Sequence, residues 1–169
     1  GGMAITPQRA LQVNFSRPLA RSGVGLAANV AKTRGIRSLT QLDDEAIVIA
    51  TVEDTLSAGV ARSVFPEATL RVLPTPQAAE QALLEGDVHA YVASLPEVRF
   101  LALRNLERVD VPLEEPLVAS VEGFAIRKGE QELLNFLDAW VTARRTDLWL
   151  DTTHEYWFGT LDWLQEEEE

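Results

Sequence analysis

The sequence predicts an α/β fold, with one complete three-layer lobe on a parallel-rich sheet and additional strands and helices beside it. Three observations lead there. Short apolar runs suited to strands alternate with amphipathic segments of roughly ten residues, the pattern of βαβ units. Two helix starts, Thr6-Pro7 and Thr75-Pro76, open on a hydroxyl residue followed by Pro, the signal of a capped helix start. The chain has 169 residues, of which 46% are hydrophobic, enough for an ordinary globular core.

Taken in order, Thr6-Pro7 is an N-cap with Pro at the first helical position, so a short helix starts there. Val13 and Phe15 suggest a brief strand, and "GVGLAANV" (23–30) a second. Ser38 is placed to cap a helical turn ending near Leu42. The continuous apolar run "AIVIAT" (46–51) suits a strand buried on both faces. Leu56, Val60, Ala61 and Val64 recur at helical spacing until Pro66 stops them. "TLRVLP" reads as the next strand, and Thr75-Pro76 starts a helix carrying Ala78, Ala79, Ala82 and Leu83 as far as Gly86. "VHAYVA" (88–93) is a strand, and Ser94-Leu95-Pro96 opens a helix running to about Asn105. Right-handed crossovers would layer these helices over a largely parallel sheet.

After Pro116 the character changes. "LVASVEGFAIR" is strand-like, and Leu133, Leu134, Phe136, Leu137, Trp140 and Val141 then line one face of a helix. All four Trp residues (Trp140, Trp149, Trp157 and Trp163) fall in this closing segment and none in the α/β segment. The run Glu166 to Glu169 reads as a solvated tail.

Composition excludes several classes of function. A formal charge of −11 with no Lys/Arg cluster makes a poor partner for phosphates, so nucleic acid and anionic membrane surfaces are not expected. The chain contains no Cys, which rules out a disulfide framework, a thiolate zinc site and a Cys nucleophile. No apolar run approaches the ~18 residues of a membrane span. His89 and His154 are far apart and lack partners at metal-ligand spacing, so both read as ordinary packing or surface residues and no metal or cofactor is expected.

Four segments carry a family resemblance. "GMAITPQRALQVNFSRP" resembles the small-residue turn, Thr-Pro cap, Arg and Phe-Ser-x-Pro of the family 3 (amino-acid type) extracellular solute-binding proteins of ATP-binding-cassette importers. In the same order, "ALLEGDVHAYVAS" is similar to the family's helix, Gly turn and strand, "VEGFAIRKGEQELLNFLDAWV" to its return strand and following helix, and "HEYWFG" to its closing aromatic element. The resemblance implies a periplasmic-binding-protein type II fold, in which two α/β lobes joined by crossing strands enclose a solute by hinge closure. Carried over, residues 1–30 would be a remnant of lobe 1 with the outgoing hinge strand, and 31–116 the complete lobe 2. Residues 117–163 would be the return hinge strand and C-terminal helices of lobe 1, and 164–169 the acidic tail. By this mapping most of lobe 1, which in the family precedes "GMAITPQR", is expected to be missing, leaving Leu133, Phe136, Leu137 and Trp140 exposed enough to drive self-association, with strands or helices exchanged between chains.

The resemblance also assigns candidate ligand contacts. Arg9 sits early in a capped helix, where a guanidinium fork and outward amides suit a carboxylate, and the family uses an Arg in this motif for the ligand α-carboxylate. The alternative is an exposed Arg on a short helix. Thr6 assists it or serves only as the cap. After "AIVIAT" the family carries a Gly-Ser/Thr-Thr anion loop; here "VEDT" keeps Thr55 but places Glu53 and Asp54 where small residues belong. Those acids argue against a simple carboxylate cradle and suit either helix capping or attraction of a cation. Ser94 stands where typical amino-acid binders hold the acid that pairs with the ligand ammonium, and it serves either as a cap or as a ligand contact.

The resemblance implies the binding component of an importer, periplasmic or extracellular, which delivers a small polar solute such as an amino acid or carboxylate to a membrane permease. Two alternatives use the same scaffold. One is a cyclohexadienyl/arogenate dehydratase-like enzyme with Glu53 or Asp54 as general acid, and the other is a ligand-sensing domain of a larger receptor.

Overall fold

The computed structural model describes residues 2–36, 38–113, 115–158 and 163. The acidic tail and the Gly that ends "HEYWFG" lie outside the described residues. The chain forms two compact units, Gly1–Ser22 with Ser120–Glu169, and Gly23–Ala119. The expected lobe of 31–116 lies within the second of these.

The Gly23–Ala119 unit holds most of β3 (Ala20–Asn29), then α2 (Leu39–Leu42), β4 (Val48–Val52), α3 (Leu56–Val64), β5 (Thr69–Leu73), α4 (Pro76–Glu85), β6 (Ala90–Ser94), α5 (Leu95–Arg104) and β7 (Val109–Asp110). Strand β4 lies parallel to both β5 and β6, with Ala50 opposite Arg71 on one side and Tyr91 on the other. Strand β3 runs antiparallel to β6, with Leu26 opposite Val92, and antiparallel to the two-residue β7. The sheet is therefore mixed, with a parallel centre and antiparallel additions. The alternation of sequence elements predicts the centre; β3 arrives from outside that alternation and carries no directional signal of its own.

Side-chain alternation along the strands divides the core into two layers. Val24, Leu26 and Ala28 of β3, Ile49 of β4 and Val92 of β6 pack with Val60 and Ala61 of α3 and with Phe65 just after it. Ala27, Ala50, Tyr91 and Ala93 face the other way, onto Ala79 and Leu83 of α4 and Val98, Leu101 and Ala102 of α5. Small residues let the helices approach closely. A Cβ on Gly25 would lie 2.7 Å from Val98 Cγ2 and 2.9 Å from Leu95 Cδ1, so α5 can sit on β3 only where the side chain is absent. Gly86, at φ +77°, gives α4 its left-handed stop.

Asn29 fixes the end of β3. Its Nδ2 donates to Leu83 O at 2.8 Å, and its Oδ1 accepts from the N–H groups of Ala31 and Lys32, both at 3.1 Å. His89, just before β6, accepts the Val48 N–H at Nδ1 at 3.0 Å, an arrangement that requires the ring's lone pair. Burial, with Lys32 nearby, holds the His89 imidazole below its ordinary value.

The other unit contains β1 (Met3–Ala4), α1 (Pro7–Ala10), β2 (Val13–Phe15), most of β8 (Val118–Gly123), β9 (Ala125–Arg127), α6 (Gln131–Thr146) and α7 (Trp149–Phe158). β1 pairs antiparallel with β8 and β2 with β9. Ser16 Oγ accepts the Phe124 N–H at 3.0 Å, and Gly123 leaves room there, because a Cβ would meet Ser16 O at 3.0 Å. Helix α6 is tied down by its polar side chains. Asp138 Oδ1 accepts from Arg17 N at 2.7 Å, and Arg145 Nη2 donates to Pro18 O at 2.7 Å. Its apolar stripe is covered only toward the C-terminal end: Val141 is buried and Trp140 packs on Phe124 and Trp149, whereas Leu133 and Phe136 stay exposed.

Two outcomes follow for the Gly23–Ala119 unit. Asn29→Ala strips partners from Leu83 O and two backbone N–H groups and is expected to lower the unfolding free energy by about 1–3 kcal/mol. Urea denaturation checks this, and an unchanged midpoint contradicts it. Because His89 binds its proton more weakly folded than unfolded, its contribution to stability is present above about pH 6.5 and is lost as pH falls below that value. Glu80 and Asp110 are shifted upward, chiefly by burial, and respond to acid in the opposite sense. Comparison of wild type with His89→Asn therefore isolates the His89 effect: the variant should lose less thermal stability between pH 7 and pH 5 (about one unit either side of the ordinary His value).

Candidate functional site

In a parallel sheet the carboxyl ends of the strands share one edge, and the helices that follow begin there, so backbone donors and cap side chains gather at that edge. Here β4 leads through Glu53 and Asp54 into the Thr55 cap of α3, β5 leads into the Thr75 cap of α4, and β6 ends on Ser94 at the start of α5. A cavity of about 170 Å³ opens among these ends, lined by Val52, Thr55, Ser57, Pro76, Tyr91, Val92, Ala93, Ser94 and Glu97. Thr55 and Ser94, separated by 39 positions in the sequence, both line this cavity.

The acids before Thr55 behave differently from expectation. Thr55 itself is the cap: its Oγ1 accepts the Ala58 N–H at 3.1 Å and donates to Val52 O at 2.7 Å. Glu53 continues the β4–β5 ladder through its N–H to Leu73 O at 3.2 Å, and Asp54 takes a left-handed turn at φ +57°. Capping by Glu53 or Asp54 is thus corrected, because a residue further along already supplies the cap oxygen. Asp54 is exposed and is not among the cavity's lining residues.

Ser94 holds the N-cap position of α5 without a side-chain cap bond; its Oγ instead donates to Glu97 Oε2 at 3.4 Å. Glu97 Oε1 accepts from the Tyr91 hydroxyl at 2.5 Å. Tyr91 is fully buried, and burial followed by that bond to Glu97 pushes its phenol far above the ordinary range. Glu80, on α4, is raised by burial and by the charge of Glu97, partly offset by Arg104. Sequence reasoning missed Glu97. Its signal was the Ser94-x-x-Glu97 spacing of a capping box, which the structure uses to join two side chains across the first turn of α5 instead of closing on backbone N–H groups.

In the other unit, Thr6 accepts the Arg9 N–H at 3.2 Å and caps α1 as expected. The Arg9 guanidinium is exposed and donates through Nη1 to Ala4 O at 3.0 Å, which orients the fork and leaves its other N–H groups for a ligand. With only four residues in α1, charge at this position comes from the guanidinium and not from a helix dipole. His154 packs its ring 5.1 Å from that of Phe158. Two larger cavities, about 400 Å³ beside Arg34 and Asp110 in the Gly23–Ala119 unit and about 410 Å³ beside Arg21, Arg145 and His154 in the other, take in none of the candidate residues.

Comparison with known proteins agrees with this architecture. A family model for bacterial extracellular solute-binding proteins, family 3, matches residues 1–160. A protein from Wolinella succinogenes DSM 1740, described as a binding component of an ABC transporter and solved with lysine, is 28% identical with a TM-score of 0.87, over 97% of this chain and 70% of that one. The ancestral amino acid-binding protein AncCDT-1, described as a precursor of cyclohexadienyl dehydratase, is 30% identical with a TM-score of 0.79, over 93% of this chain and 66% of that one. A second structure of AncCDT-1, described as an ancestral cationic amino acid solute-binding protein, is 31% identical with a TM-score of 0.78. The chain thus spans about two thirds of the length of these solved proteins. Among curated protein sequences there was no match. Its mixed α/β fold is of the periplasmic-binding-protein type II kind, and the chain belongs to the bacterial extracellular solute-binding proteins, family 3.

Proposed function

We propose that this chain binds a small amino acid or related carboxylate as the solute-binding component of an ABC-type importer, outside the cytoplasmic membrane and in partnership with a permease. One observation carries the reading: Thr55 and Ser94, each singled out by the family resemblance, line one cavity at the carboxyl edge of the parallel strands. Both hydroxyls donate within the protein, Thr55 to Val52 O and Ser94 to Glu97, so toward a polar headgroup they offer oxygen lone pairs, and Arg9 is the candidate for the ligand carboxylate. The lysine complex of the Wolinella protein and the cationic amino-acid description of AncCDT-1 support amino acids as the solute class. We also read the Gly23–Ala119 unit as the family's second lobe, and the segments on either side of it as parts of the first.

The dehydratase alternative rests on the description of AncCDT-1 as a precursor of such an enzyme. It is weakened in the form that uses Glu53 or Asp54 as acid, because neither residue lines the strand-end cavity.

Calorimetric titration of the chain with the common amino acids tests the binding reading. At least one should bind, and Arg9→Ala, which removes charge-assisted hydrogen bonds, should weaken it about 10- to 100-fold. No binding by a folded protein to any of them would overturn the proposal.

A further inference from the structure

A separate cavity of the Gly23–Ala119 unit, of about 400 Å³, lies toward the amino ends of the parallel strands. Ser94, at the strand-end cavity, pairs with Val24, whereas Ala90, which opens β6, pairs with Ala28, and Ala28 lines the larger cavity. Four residues separate those pairs, about 13 Å along the strand. The lining is mainly apolar and includes the buried Ala28 and Leu42 with the partly buried Ile36, Leu39 and Leu113. Two opposite charges interrupt it, Arg34 from the turn after β3 and Asp110 at the end of β7. Neither neutralises the other. Among the described residues the ion pairs are Arg71 with Asp87 and Arg144 with Asp147, and Arg34 and Asp110 enter neither. Burial holds the Asp110 carboxyl above its ordinary value, offset in part by a backbone N–H and by no cation. The two hydroxyls at this cavity also differ. Thr33 Oγ1 donates to Asn29 O at 2.9 Å, whereas Ser38, the cap residue of α2, makes no side-chain bond to that helix.

An apolar cavity that carries an uncompensated cation and an uncompensated acid is complementary to a molecule with an apolar body and both charges. A singly charged amphiphile would satisfy one of the two groups and bring its charge near the like one. Arg34 and Asp110 are too far apart to pair, so a molecule that reaches both carries its charges at opposite ends, as a dipeptide does, and not on neighbouring atoms, as an α-amino acid does. We propose that this cavity is a second ligand site, separate from the solute site, and that it takes a small apolar zwitterion of dipeptide size with its carboxylate on Arg34 and its ammonium on Asp110. The guanidinium fork suits a carboxylate, and the Ser38 hydroxyl is a partner for the peptide group between the two ends. A volume of about 400 Å³ falls within the roughly 300–1,000 Å³ of pockets that enclose whole small molecules.

The test is titration of isotope-labelled protein, read by backbone amide NMR, with three probes: L-leucyl-L-leucine, hexanoate and hexylamine. The dipeptide should shift the amides of Val30 to Ile36 and of Asp110, Val111 and Leu113, and it should bind more tightly than either singly charged probe. Arg34→Gln and Asp110→Asn, both at exposed positions, should each weaken the dipeptide about three- to tenfold. Hexanoate should weaken with Arg34→Gln and tighten with Asp110→Asn, and hexylamine should do the reverse. Dipeptide shifts that are absent, or confined to the strand ends at Thr55 and Ser94, overturn the proposal. A dipeptide bound no more tightly than the better of the two singly charged probes overturns it as well, and so does an unchanged dipeptide affinity in either folded variant. Should a variant fail to fold, the wild-type ranking of the three probes decides. None of these outcomes touches the strand-end cavity's own ligand, so the solute-binding reading stands or falls on its separate amino-acid screen.

Discussion

The parallel pairing of β4 with β5 on one side and β6 on the other is the constraint on which the rest of the Gly23–Ala119 unit depends. Parallel neighbours require a crossover, and each crossover here is a helix that starts from the same sheet edge. That rule alone sets Thr55, Thr75 and Ser94 along one edge, each at the N-cap position of a helix. Two of these cap residues, Thr55 and Ser94, thereby become part of the polar wall of a cavity. The packing that holds the helices in place is made with little bulk: Ala27, Ala50 and Ala93 on the strands, and Gly25 where α5 makes its closest approach.

Much of the fold was legible in the sequence because its signals were local and physically forced. Thr6-Pro7 and Thr75-Pro76 predicted capped helix starts and Gly86 a left-handed stop, and each has that role, whereas the run from Ala46 to Thr51, expected as a buried strand, supplies β4 only from Val48, because Ala46 belongs to the preceding turn. What sequence did not reveal was set by longer-range geometry. The two-residue strands β1 and β7 are too short to show a period. The antiparallel direction of β3 depends on where the chain enters the sheet, which no alternation of apolar residues encodes. The degree of cover on α6 likewise depends on distant partners, so Val141 and Leu133 share a helical face in sequence yet differ in burial.

The candidate site was half legible. Thr55 and Ser94 could be named from the motif positions of the family resemblance, whereas Glu53 and Asp54 drew attention through their charge and turned out to belong to a ladder and a left-handed turn. Glu97 escaped because Ser-x-x-Glu at a helix start has an ordinary structural reading, and because its main partner, Tyr91, sits in an apolar strand that gives no hint of where its hydroxyl points. A chain of formal charge −11 thus has an acid at the strand edge, oriented by hydroxyls and unneutralised by them.

The central claim is that the strand-end cavity, and not either larger cavity, is where this protein meets its solute. Titration of isotope-labelled protein with L-lysine or L-arginine, followed by backbone amide NMR, reads this residue by residue. The account predicts shifts concentrated at Thr55 to Ala58 and Ser94 to Val98, whose amides lie at the cavity-forming starts of α3 and α5. Shifts centred on Arg34 and Asp110, or on Arg21 and His154, with the strand ends unchanged, would contradict it.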